Sequence, residues 1–159
     1  MGCLQLKVWR ISKVQYATQA FTGIGAKLTG GRWNYPGEAV VYTSVSLALA
    51  ALETYVHLPS PLILPKNLVA VAAAIPDTLA REIITVAQLP ADWQNAPPPD
   101  ALKQLGSDWL QREQTAILVV PSSIIPDETN LLLNPAHADF AQIQIGQPQP
   151  FVYDPRMKK

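Results

Sequence analysis

At 159 residues, 48% hydrophobic and 15% charged, the chain has the size and balance of one globular domain able to bury a sizeable core, which argues against disorder and against a second full domain. Charged content lies below the roughly 25% usual for soluble domains, and 15 prolines foretell a body rich in turns. Twelve Lys and Arg balance twelve Asp and Glu, so no net field gathers a polyanion and direct nucleic-acid binding is not expected.

In chain order, LQLKVWRI at residues 4–11 alternates as a strand does, with Leu4, Leu6 and Val8 on one side. Arg10 shares that apolar side and is expected to point inward, where a cation needs a partner or an anionic ligand. The alternative is a long stem reaching solvent. Residues 22–39, TGIGAKLTGGRWNYPGEA, are dense in glycine and are expected to be loop and tight turn. Gly30 and Gly31 stand just before Arg32, an arrangement that lets backbone amides approach a ligand while the guanidinium offers a fork suited to phosphate. It equally fits a paired-glycine hairpin with a solvated Arg32 and a core Trp33.

AVVYTS, residues 39–44, reads as a strand ending at Tyr42, and Thr43, Ser44 or Ser46 can cap the helix that follows. That helix, residues 46–58, is apolar around most of its girth, stops at Pro59 and Pro61, and is expected to be buried. Glu53 is its exception: a carboxylate on a face with no other charge must meet a cation, donors or a ligand. The bland account is a core salt bridge with Arg10 or Arg32. Tyr42 can border the same cavity or be a plain core tyrosine.

LVAVAAAI at 68–75 and TAILVVPSS at 115–123 read as buried strands closed by Pro76 and Pro121. Residues 76–110 between them look like a surface excursion, with a helix ALKQLGSDWLQRE that Gly106 is a candidate to break and with Trp93 and Trp109 as core plugs. LLLN forms a short strand, His137 caps a turn, and the alternating AQIQI and PFVYD suggest a terminal hairpin or pair.

No run approaches the ~20 apolar residues of a bilayer span, the first ten residues lack the apolar core of a secretion signal, and Leu6 breaks the myristoylation pattern, so a cytoplasmic protein without membrane contact is expected. A lone Cys3 permits no intrachain disulfide, and Cys3, His57 and His137 show no metal-ligand spacing, so no metal is expected. Leu28 spoils GxGxxG, no Lys-Ser/Thr pair follows Gly30, and no G-x-S-x-G elbow occurs.

Taken in order, WR near the start, GIGAKLTGGRWN, VVYTS, LALAALE, VVPSSIIPDETNLLLNPAHADF and the closing PFVYDPR resemble the RES domain, a bacterial toxin family, over nearly the whole chain from Trp9 to Arg156. The family's Arg, Glu and Ser look like Arg10, Glu53 and Ser122. The resemblance implies a single compact α+β domain over residues 1–159, similar to ADP-ribosyltransferase toxins, with mixed or antiparallel sheets flanked by helices. It implies NAD as substrate rather than cofactor, a cognate helix-turn-helix (Xre-like) antitoxin, and a homodimer within that complex. Glu53 would oppose a ribosyl cation, Arg10 and Arg32 would hold pyrophosphate or ribose, and Tyr42 would stack on nicotinamide. Ser122 would bond the ribose or orient Glu53, and Gly31, Trp33, Asn34 and Asn134 would add contacts to NAD. Such toxins pass ADP-ribose to water, phosphate or a protein. Ala51, where many arginine-directed transferases carry Gln or Glu, tilts the expectation toward consumption of free NAD.

Overall fold

The computed structural model describes residues 4–159, so Cys3 lies outside the described residues. Eight strands form one mixed sheet: β1 (Gln5–Lys13), β2 (Val41–Ser44), β3 (Leu68–Pro76), β4 (Arg81–Ile83), β5 (Ile117–Pro121), β6 (Thr129–Leu133), β7 (Gln144–Ile145) and β8 (Gln149–Phe151). Their order is β4-β5-β6-β2-β1-β3-β7, with β8 also on β3. Every pairing is antiparallel except β4 with β5. With α1 (Ile24–Thr29), α2 (Leu47–Tyr55) and α3 (Asp100–Arg112), this is the expected α+β architecture. No helix of the described residues is long and apolar enough to cross a membrane.

Strand alternation divides the apolar side chains between the two faces. Ile117, Leu131 and Leu133 join Val8, Val41 and Val71 on one face, closed by Phe21 and Ile143. Leu118, Val120 and Leu132 meet Trp33, Trp93, Leu102 and Trp109 on the other. A third cluster, Ile11, Ala50, Leu68, Ala70 and Tyr153, lies where α2 and the chain's end cover β1 and β3.

Four expectations need correction. Residues 22–39 are not all loop: α1 is helical, because Gly23 (φ +76°) and Gly30 (φ +73°) turn the chain into and out of it in left-handed conformations. α2 is only half-buried, with Leu49 and Ala50 its sole buried residues; it lies on the sheet's surface, capped as foreseen by Ser46. The stretch 76–110 is no mere excursion, since Trp93 and α3 build the second core and Gly106 leaves α3 unbroken. Finally, β7 and β8 do not pair with each other. Both run along β3, where four steps from Ile145 to Gln149 face three from Ala73 to Ala70, a bulge in one broken edge strand.

β1 and β3 pair along all nine residues, whereas β1 and β2 share one paired position, Trp9 with Ser44. The sheet therefore opens between β1 and β2, and the side chain of Arg10 reaches across to donate from Nη1 to the Tyr42 carbonyl at 3.1 Å.

Candidate active site

A cleft of about 1400 Å³ lies over this opening, bordered by β1, α1, the Gly30–Asn34 turn, β2, α2 and the 56–65 loop. Arg10, Arg32, Tyr42 and Glu53 all line it. Their sequence separation is large; the splay of β1 from β2 gives them one space.

Glu53 sits in the last turn of α2 and is half-buried. Oε1 accepts from Ser122 Oγ and from Asn130 Nδ2, each at 2.7 Å, while Oε2 has no partner among the described residues and is left for the cleft. Ser122 is fully buried and absent from the cleft wall. Its Oγ accepts the amides of Ile124 and Ile125, both at 3.1 Å, so its single proton goes to Glu53. Of the two tasks foreseen for Ser122, its geometry is that of a positioning residue. No ion pair joins Glu53 to Arg10 or Arg32: the described ion pairs are Arg112 with Glu82, His137 with Asp139 and Arg156 with Asp154, so the core salt bridge does not form.

Asn130 stands inside the segment VVPSSIIPDETNLLLNPAHADF but was not among the residues expected at the site. It is directly opposite Ser44 in the β2–β6 pairing, and Ser44 Oγ donates to Asn130 Oδ1 at 2.8 Å, turning the amide nitrogen toward Glu53. Only the register brings these residues together; the one sequence signal is a polar Asn opening an apolar strand.

Arg10 is the group with unfinished business. Its Nε is buried and, among the described residues, is the one buried side-chain polar atom without a hydrogen-bond partner. Burial pushes its proton affinity down, with the Tyr42 interaction opposing, but a guanidinium stays charged across the accessible pH range. A buried cation with an unspent donor is a place for an anion.

Arg32 is otherwise occupied. Its Nη1 donates to the carbonyls of Trp93 at 2.8 Å and Asn95 at 3.0 Å, and the side chain is half-buried. Burial lowers its pKa, while Glu53 and then Tyr42 act the other way. Lys103, also unforeseen, lines the cleft and donates to the Gly31 carbonyl at 2.7 Å.

The remaining candidates mostly build the turn. Tyr42 lines the cleft, and its hydroxyl donates to Asn34 Oδ1 at 2.6 Å and accepts the Trp33 amide at 3.0 Å. Burial pushes the phenol well above its ordinary range, so the donor proton stays. Gly31 lines the cleft and also makes room for a side chain: a Cβ there would lie 2.6 Å from the Tyr42 hydroxyl, and the Gly31 amide donates to the Asn34 carbonyl. Asn34 is fully buried, its amide spent on the carbonyls of Ala26, Tyr35 and Glu38. Trp33 is 3% exposed and packs in the second core, although part of it borders the cleft. Asn134 lies off the cleft wall and accepts the Ala136 amide, the work of a turn asparagine. His137 caps its turn as foreseen, accepting from the Asp139 amide.

The RES domain family model matches residues 7–154. The chain is 45% identical, over 94% of each sequence, to a protein of Sphingobium sp. (strain YBL2) named Prs ADP-ribosylating toxin. It is 36% identical to Toxin Res of Yersinia enterocolitica over 96% of this chain and 100% of that one. Toxin Res of Pseudomonas putida is also 36% identical, over 87% of this chain and 92% of that one. Among solved structures, the M. tuberculosis MbcT-MbcA toxin-antitoxin complex contains a chain of the same fold, with a TM-score of 0.76 at 17% identity, covering 94% of this chain and 86% of that one. A family match over nearly the full length, joined to relatives of equal length, makes this chain a member of the RES domain family of toxins.

Proposed function

We propose that the protein is a toxin that binds NAD in the cleft and breaks the bond between nicotinamide and ribose. One observation carries the reading: a carboxylate held by donors on Oε1, with Oε2 left for the cleft, shares that cleft with a buried arginine whose Nε is unspent. The nicotinamide of NAD is cationic and leaves neutral, so its departure needs no general acid. It needs a negative group against the ribosyl cation and a cation to hold the diphosphate. Glu53 supplies the first and Arg10 the second, while Arg32 adds positive charge nearby. With water as acceptor the products are nicotinamide, ADP-ribose and a proton; with inorganic phosphate they are nicotinamide and ADP-ribose 1″-phosphate.

Transfer to a protein is the second reading, favoured by the name of the Sphingobium relative. Ala51 no longer speaks against it. Two residues along a helix are about 200° around the axis, so a side chain at position 51 would not share the cleft with Glu53 whatever it was. An antitoxin partner is proposed on similar grounds, since the solved neighbour is a toxin-antitoxin complex.

The test is incubation of the purified protein with NAD, with and without phosphate and with and without a cell extract, followed by identification of every product. Free nicotinamide is expected in all arms, and the ADP-ribose product names the acceptor. NAD left intact in every arm would overturn the reading. A co-encoded antitoxin is expected to stop the turnover when added.

Two variants probe the parts. Asn130→Ala removes one of the two donors to Glu53 and is expected to lower kcat about a hundredfold through misplacement of the carboxylate, with KM for NAD changed far less. Equal loss in the two parameters would make Asn130 a binding residue instead. Arg10→Lys is expected to raise KM for NAD about tenfold, because an ammonium cannot reproduce the fork, and steady-state kinetics with an unchanged KM would make Arg10 structural.

A further inference from the structure

The helix that carries Glu53 is held from behind. α2 buries only Leu49 and Ala50, both in its first half, so packing on the sheet does little to fix the last turn, where Glu53 stands. Two residues advance about 200° around a helix, which puts Ala51 and Tyr55 together on the side of α2 away from Glu53. Residues 151–157 run along that side. The Tyr153 hydroxyl donates to the Ala51 carbonyl at 2.5 Å, and in the opposite sense the Tyr55 hydroxyl donates to the Met157 carbonyl at 2.9 Å. Tyr153 is buried, which pushes its pKa up to about 12, so the phenol keeps the proton it donates. Its ring meets Tyr55 edge to face at 5.9 Å and Phe151 at 5.0 Å, and Phe151 is paired with Leu68 of β3. The segment is thereby anchored on the sheet at one end and bonded to α2 at the other.

We propose that Tyr153 and Tyr55 are positioning residues for Glu53: their two opposed hydroxyl-to-carbonyl bonds clamp the last turn of α2 and hold the carboxylate where Ser122 and Asn130 receive it. This rests on the reading of Glu53 as the group that opposes the ribosyl cation, and adds what keeps it in place. Neither tyrosine borders the cleft, so contact with a ligand does not account for them. Packing does not account for the hydroxyls either, since phenylalanine would fill the same space. What needs the clamp is the join between elements. Glu53 belongs to α2, whereas its donors belong to β6 and to the turn after β5, and both bonds to Oε1 are 2.7 Å long. A helix end free to shift by about 1 Å would lose that geometry, and a displacement of that size at a reacting group costs about a hundredfold in rate.

Tyr153→Phe and Tyr55→Phe keep the rings and remove one bond each. Either is expected to lower kcat for NAD about tenfold, and the pair about a hundredfold, with KM little changed. Ile143→Val, which trims the first core off the cleft wall, serves as the control: it should lower Tm as the tyrosine variants do and leave kcat at 25 °C unaltered. In an Asn130→Ala background, where Glu53 is already misplaced, Tyr153→Phe should cost only about threefold or less, because the two changes act through one carboxylate. Hydrogen exchange supplies a readout that needs no turnover: the amides of Tyr55 and Val56 should exchange about tenfold faster in the paired variant, with those of β1 and β3 unchanged. An unchanged kcat in the paired variant would overturn the proposal, as would full additivity with Asn130→Ala or unaltered exchange at the end of α2. Faster exchange there in a protein that leaves NAD intact would keep the clamp on α2 and remove the reaction assigned to Glu53.

Discussion

Glu53→Gln is expected to lower NAD turnover by about 100 to 1,000 fold, the usual cost of removing one electrostatic group that opposes charge in a transition state. The substitution is close to isosteric, and its side-chain oxygen can still accept from Ser122 and Asn130 where Oε1 did. With that oxygen so held, the amide nitrogen replaces Oε2 in the cleft, presenting donors where the ribosyl cation needs a negative charge. Binding of NAD should persist, since the diphosphate is held elsewhere. The check is kcat measured with the purified variant, beside a circular dichroism spectrum matching that of the unaltered protein. Turnover within a few fold of the unaltered protein would take the reaction away from Glu53.

Gly106→Ala should destabilise the protein by about 3 kcal/mol, at the upper end of the range for overpacking. Helix propensity predicts the reverse, since alanine inside a helix gains about 1 kcal/mol over glycine. Sterics decide: a Cβ on Gly106 would stand 1.7 Å from the Trp33 carbonyl oxygen and 2.8 Å from its carbon, and both are backbone atoms that cannot rotate aside. α3 would have to lift off the Gly30–Asn34 turn, carrying Lys103 from the Gly31 carbonyl and loosening Trp33 in its core. For a chain of this length a loss of that size corresponds to a fall in Tm of about 6 to 12 °C. Thermal unfolding followed by circular dichroism reads it directly. An equal or higher Tm would mean that the two segments are not in contact as described.

Much of the fold and part of the site were legible in the residue order because they rest on local patterning. Alternation marks β1, the apolar runs mark β3 and β5, Ser46 caps α2, and the lone carboxylate among LALAALE singles out Glu53, since a charged group on an apolar face requires a reason whatever the fold. The ordered motifs likewise marked the RES domain family, which the family match confirms. Local patterning could not decide what depends on which backbone meets which. Gly106 looked like a helix breaker and is a contact point, Gly31 has no side chain because Tyr42 fills the space where one would stand, and Asn34 spends its whole amide inside its own turn. Asn130 acquires its task only because register sets it opposite Ser44 and within reach of Glu53. Whether Arg10 would find solvent, a carboxylate or nothing was also beyond the sequence. The splay of β1 from β2 settles it, burying the guanidinium with Nε unpaired, because strands that share one paired position leave a gap that neither backbone can fill.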